Sequence, residues 1–158
     1  ICLMLIRKDL LGRENPLCPK LMSWTLEEKG GSMLNTPNTW GIYMMKLVFE
    51  WMKAKGGIDA FYENNKKKAA ILYDYIDGSK LFQNPVEKKY RSLMNVTFVT
   101  GDADKDAAFV KTCKANGLEN IKGHRNVGGM RASIYNAMPL AGVEKLVRVM
   151  CEFEKSNL

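Results

Sequence analysis

Apolar positions along the chain fall into two periods. From Thr39 to Lys55 the spacing predicts a helix, with Ile42, Met45, Phe49 and Met52 on one stripe. Trp40, Tyr43, Met44, Leu47 and Trp51 fill much of the remaining circumference. A helix apolar nearly all round should be covered on more than one side, between layers or under another subunit. Gly56-Gly57 ends it. A second helix is predicted over Ile58–Ile76, with Phe61, Tyr62, Ala69, Leu72, Tyr73 and Ile76 facing inward. Asn64, Lys67, Lys68 and Asp74 read as its solvated face. Alternation takes over from Ser92 to Thr100, where Met94, Val96 and Phe98 share one side of a strand. A third helix opens at Gly101-Asp102-Ala103-Asp104 and closes at Asn116-Gly117. Met130–Tyr135 is the next strand, with Arg131, Ser133 and Tyr135 opposite the apolar Met130, Ala132 and Ile134. Pro139 is expected in the first turn of a last helix, which carries Leu140, Val143, Leu146, Val147, Met150 and Phe153 inward.

The weaker patterns complete the picture. Ile1–Ile6 is a six-residue apolar run, predicted as a buried strand entered midway, as in a piece of a larger protein. It is too short for a membrane span or a signal segment. Lys8–Gly12 suggests one helical turn, 13–20 a loop, and 21–34 irregular chain broken by Gly30-Gly31. Leu81–Gln83 and Leu118–Lys122 read as short extended pieces. Residues 58–158 therefore predict a small α+β domain, a short sheet with helices on one face, and 1–57 belong to a different unit.

Composition changes this little. The 158 residues are 46% hydrophobic and 26% charged, ordinary values for a globular chain. The formal charge of +7 comes from scattered lysines, without the motifs or aromatic platforms of nucleic-acid binding. A positive field serves small anionic metabolites equally well. Cys2, Cys18, Cys113 and Cys151 are widely spaced beside a single histidine, which argues against a zinc site or disulfide framework and for reduced, cytoplasmic thiols.

The candidate chemistry is concentrated in Lys122–Ala137. His124, Arg125 and Arg131 flank the hinge Gly128-Gly129, and arginine forks match carboxylate and phosphate geometry. A small ligand with two anionic groups would suit them. The plainer alternative is that the arginines form structural ion pairs. A second cluster, Asn35-Thr36-Pro37-Asn38-Thr39, offers N-caps for the helix that follows, or anion donors at its start.

These segments also carry a resemblance. Asn35-Thr36-Pro37, Gly56-Gly57, the Arg91–Phe98 stretch and the Gly-His-Arg-x-x-Gly-Gly-Met-Arg-Ala-Ser-Ile-Tyr-Asn-Ala run at 123–137 resemble phosphoserine aminotransferases. These are class V aminotransferases of the fold type I, pyridoxal-phosphate-dependent group. The resemblance implies an α/β fold of that type, with residues 1–57 as the tail of the large cofactor domain and 58–158 as the small domain. It implies transfer of an amino group between glutamate and 3-phosphohydroxypyruvate, in serine biosynthesis, by a homodimer. Arg131 would then bind the substrate α-carboxylate, and His124 and Arg125 the distal phosphate or side-chain carboxylate. Asn35 and Thr36 would reach the cofactor phosphate of the neighbouring subunit. The lysine that carries the cofactor lies, in that family, upstream of the position of Ile1, so the resemblance implies that this chain alone is inactive. A non-catalytic binding module for phosphorylated metabolites is the alternative.

Overall fold

Buried side chains are shared very unequally in the computed structural model, which describes residues 1–158 as two compact units, Ile1–Ala54 and Lys55–Leu158. Every buried apolar residue lies in the second unit, between Phe61 and Phe153.

In the first unit the only buried residue is Ser23. Its hydroxyl caps helix α1 (Trp24–Lys29) by accepting from Leu26 N at 3.2 Å. The Glu14 carboxylate accepts in turn from Ser23 Oγ and Thr25 N. This short helix was not expected in 21–34. Single 3₁₀ turns stand at Lys8–Leu10, as the spacing suggested, and at Lys20–Met22. The expected opening strand does not form. Residues 1–7 have no regular structure and Leu5 is 91% exposed, because no strand of this unit is present to pair with them. Helix α2 (Thr39–Ala54) forms as its periodicity predicts, yet buries no residue. Trp40, Tyr43, Val48 and Phe49 are all exposed, so the cover this helix was expected to have does not come from its own unit.

The second unit begins with α3 (Gly57–Gly78), whose buried residues Phe61, Asn65, Lys68, Ala69, Leu72 and Ile76 follow one helical stripe. Strand β1 (Asn95–Phe98) pairs antiparallel with β2 (Met130–Ser133), in the register Asn95↔Ser133, Val96↔Ala132, Thr97↔Arg131 and Phe98↔Met130. The two expected extended pieces shrink to single bridges, Gln83↔Val99 and Lys122↔Met130. Between the strands runs α4 (Ala103–Ala115), capped by the Asp102 carboxylate, and after them α5 (Leu140–Lys155). Pro139 is the residue just before α5. Phe109 holds the core together: its ring centroid lies 4.9 Å from Phe82, 6.0 Å from Phe98 and 5.1 Å from Phe153, all near edge-to-face. Buried Cys113 packs in the same cluster, where desolvation pushes its thiol up to about 12. All four cysteines are free, and no helix is long and apolar enough to cross a membrane.

Some side chains depart from their expected faces: Tyr62 and Leu140, expected inward, are exposed. Lys68 was assigned to the solvated face of α3, but it is completely buried. Its Nζ donates to the carbonyls of Ile134, Tyr135 and Met138, and this tertiary anchorage draws it inward.

Candidate substrate-binding site

The Gly-rich stretch folds into a closed loop. Gly123 N donates to Gly129 O at 2.8 Å, and Arg131 N donates to Ile121 O at 2.7 Å, so the loop base is locked to the start of β2. The two ends approach so closely that a Cβ on Gly123 would strike the Gly128 carbonyl. Gly129 has φ +64°, and its hydrogen faces Val99 and the Phe98 carbonyl, leaving no room for a side chain. Glycine is therefore required at both positions by backbone geometry.

Inside the loop the His124 carbonyl accepts from Val127 N and Gly128 N, and Nδ1 of its ring accepts from Asn126 N at 3.3 Å. With Nδ1 as acceptor, the N–H of a neutral imidazole is at Nε2, which is free to donate outward. His124 and Arg125 are both exposed, and Arg125 forms no ion pair. They present donors to solvent on a backbone held from below.

Arg131 is two residues past the loop base, directly across from Thr97. Its neighbours on the same face are polar: Ser133 Oγ and Tyr135 Oη both donate to Asn95 Oδ1, at 3.3 and 3.2 Å. Arg131 is half-buried, pairs with no carboxylate, and its Nε is buried with no hydrogen-bond partner. An unmet buried donor costs about 1–3 kcal/mol, more when charged. An anionic ligand at this face would satisfy it.

The second cluster divides its work. Asn38 is the residue that caps α2, its Oδ1 accepting from Gly41 N at 2.9 Å. Asn35 and Thr36, one turn earlier, are exposed and make no side-chain hydrogen bond within the chain. Their donors are thus not consumed by the helix start. His124 and Arg125 stand on the loop and Arg131 on the strand that follows it, all in the second unit, whereas Asn35 and Thr36 belong to the other. The sequence reading missed Asn95 as the polar partner of the Arg131 face; its place in the strand alternation, opposite Val96, was the available signal. No group of three histidine, cysteine or acidic residues comes together to hold a metal.

A small α+β unit that displays an arginine with no internal partner beside a hydrogen-bonded glycine loop offers a candidate site for an anionic ligand. Residues 2–146 match the model of the family Aminotransferase class-V, and the chain belongs to this family. It is 52% identical over 157 residues to a phosphoserine aminotransferase of Listeria monocytogenes, covering 99% of this chain and 43% of the relative. To that of Ralstonia nicotianae it is 49% identical, over 41% of the relative's length. The chain thus spans about two-fifths of the curated relatives it matches. Its fold is similar to phosphoserine aminotransferase from Bacillus circulans subsp. alkalophilus, with a TM-score of 0.91 at 38% identity over 97% of this chain and 43% of that one. A pyridoxal-phosphate-bound phosphoserine aminotransferase from Trichomonas vaginalis gives 0.84 at 41% identity, over 92% and 42% of the two chains. The fold is accordingly that of the corresponding portion of a fold type I aminotransferase.

Proposed function

We propose that this chain is the C-terminal, substrate-recognising portion of a phosphoserine aminotransferase, converting 3-phosphohydroxypyruvate and glutamate to phosphoserine and 2-oxoglutarate in cytoplasmic serine biosynthesis. In this reading residues 1–57 end the large cofactor domain and 58–158 form the small domain. The observation that carries the assignment is Arg131, whose buried Nε lacks a partner beside a loop that displays His124 and Arg125.

Every amino-acid substrate of such an enzyme shares an α-carboxylate, and a bidentate arginine is the natural receptor for it. Arg131 holds that group and thereby orients the α-carbon. His124, through Nε2, and Arg125 hold the distal anion, a phosphate in one half of the reaction and a γ-carboxylate in the other. The loop backbone is locked at Gly123 and Gly129, which fixes the chain path that carries these donors.

Pyridoxal phosphate, when bound, supplies the electron sink on which the amino group is exchanged. The residues present fit its phosphate: Asn35 and Thr36 are exposed, unspent on capping, and next to the start of a sixteen-residue helix. They would serve the site of a second subunit in a homodimer, which also accounts for the apolar surface of α2. The lysine that anchors the cofactor belongs to the part of the enzyme before residue 1.

The test is a glutamate-coupled assay on the full-length protein with pyridoxal phosphate. Glutamate-dependent phosphoserine formation is expected, with none from residues 1–158 alone. No turnover by the full-length protein would overturn the function. Turnover by the isolated chain would overturn the division of labour.

A further inference from the structure

Lys68 is the one buried charge of the second unit that substrate recognition, as described, does not use. Its Nζ donates to Tyr135 O at 2.7 Å, Ile134 O at 3.1 Å and Met138 O at 3.2 Å. No carboxylate lies in ion-pair range, so the usual compensation for a buried lysine is absent. Burial alone pulls its pKa below the ordinary lysine value. The geometry nevertheless calls for the ammonium form, because three acceptors converge and a neutral amine has two N–H groups and a lone pair. All three donors are spent on the single stretch Ile134–Met138, which begins one residue after β2.

A second polar residue on the same helical stripe aims at the same stretch: Asn65 Nδ2 donates to Asn136 Oδ1 at 2.8 Å. If the stripe needed only to pack, apolar residues at 65 and 68 would do so without the desolvation penalty. The polar pair instead fixes a particular chain path. At its other end, β2 is fixed by the loop base, through Arg131 N to Ile121 O and Gly123 N to Gly129 O. Arg131 thus projects from a four-residue strand pinned on one side by the anion loop and on the other by Lys68.

We propose that Lys68, supported by Asn65, is a positioning residue for carboxylate recognition: it clamps the chain leaving β2 and so sets the aim of the Arg131 fork. This rests on the reading of Arg131 as the α-carboxylate receptor. A mis-aimed guanidinium keeps only part of its charge-assisted hydrogen bonding to the carboxylate, so a partial loosening of this clamp should weaken binding by about tenfold.

The experiment measures kcat and KM for glutamate and for phosphoserine in the full-length enzyme carrying Lys68→Met, Arg131→Ala, or both. Lys68→Met is expected to raise both KM values together, by about tenfold, with kcat per correctly folded site little changed. In the Arg131→Ala background the same substitution should add almost nothing, since the group it aims is gone. A lower melting temperature with unchanged KM, or an effect that adds fully to Arg131→Ala, would reduce Lys68 to scaffolding and overturn the proposal. Should Lys68→Met fail to fold, Asn65→Ala decides, because it removes the Asn136 bond and leaves Lys68 in place: a smaller joint rise in both KM values supports the clamp, and unchanged values overturn it. Unaltered kinetics in Arg131→Ala itself would instead sink the carboxylate assignment, a failure distinct from that of the clamp.

Discussion

Two arginines of the second unit, Arg91 and Arg131, occupy opposite situations within one domain. Arg91 is fully employed. Its guanidinium bonds both oxygens of Asp77, at 2.9 and 2.8 Å, its Nε donates to Val86 O, and it stacks 4.8 Å from the Tyr73 ring centroid. Lys88 completes the corner at 3.1 Å from the same carboxylate. Arg131 has no carboxylate, and its Nε is buried without a partner. Arginine near a strand is compatible with either a structural or a recognition role, and it is the partner inventory that separates them. The Arg91 corner is satisfied within the fold, whereas the Arg131 face leaves a buried donor unmet.

The largest effect should come from Arg131→Ala in the full-length enzyme. We expect kcat/KM to fall by about a hundredfold or more for glutamate and phosphoserine alike, since loss of a partly buried charge partner costs about 2–5 kcal/mol. The melting temperature should hardly change, because Arg131 contributes no internal ion pair. Unequal losses for the two substrates would break the contrast by assigning Arg131 to the distal anion. Next comes Arg125→Ala. Its exposed fork addresses the distal group, so phosphoserine turnover should fall about tenfold, with little change for a monocarboxylic amino acid such as alanine.

The smallest effect belongs to the satisfied corner. Arg91→Ala should leave steady-state kinetics intact and lower stability by about 1 kcal/mol in denaturant titration, as befits a partly exposed bidentate pair. The same corner has a pH signature. The Arg91 hydrogen bonds hold the Asp77 carboxyl at about 2, below the roughly 3.9 of an unfolded aspartate. Between these values the unfolded chain binds more protons, so the pair's stability is present above about pH 4 and is lost as pH falls toward 2. Asp77→Asn should flatten that part of the stability-against-pH curve. An unflattened curve would show that the corner is not the linked group.

Much of this was legible in the residues. Helices α2 to α5 follow their apolar periods closely, and the alternation around Val96 and Ala132 gave both the strands and the face of Arg131. What escaped depends on groups far away in sequence. Ile1–Ile6 reads as a strand, but a strand exists only with a neighbour to share its ladder, and none is present in the first unit. Lys68 was hidden in the run Lys66-Lys67-Lys68, which reads as surface charge. Its spacing was the clue, seven residues after Phe61 and four before Leu72, on the inward stripe. Three backbone carbonyls brought over by tertiary folding make that position tolerable, and no local pattern announces them. The Asn35–Thr39 cluster was ambiguous for a different reason, since any of its polar side chains could cap α2. Only the Asn38 bond to Gly41 N shows which one does, leaving Asn35 and Thr36 free.

The central claim is that one arginine receives the group all substrates share while the loop receives the group that distinguishes them. A crystal structure of the full-length enzyme with phosphoserine bound tests this directly. The account predicts the α-carboxylate on the Arg131 guanidinium at about 2.7–2.9 Å, and the phosphate within hydrogen-bond reach of His124 Nε2 and the Arg125 fork. A phosphate seated on Arg131, or an Arg131 Nε still without a partner in the occupied site, would contradict it.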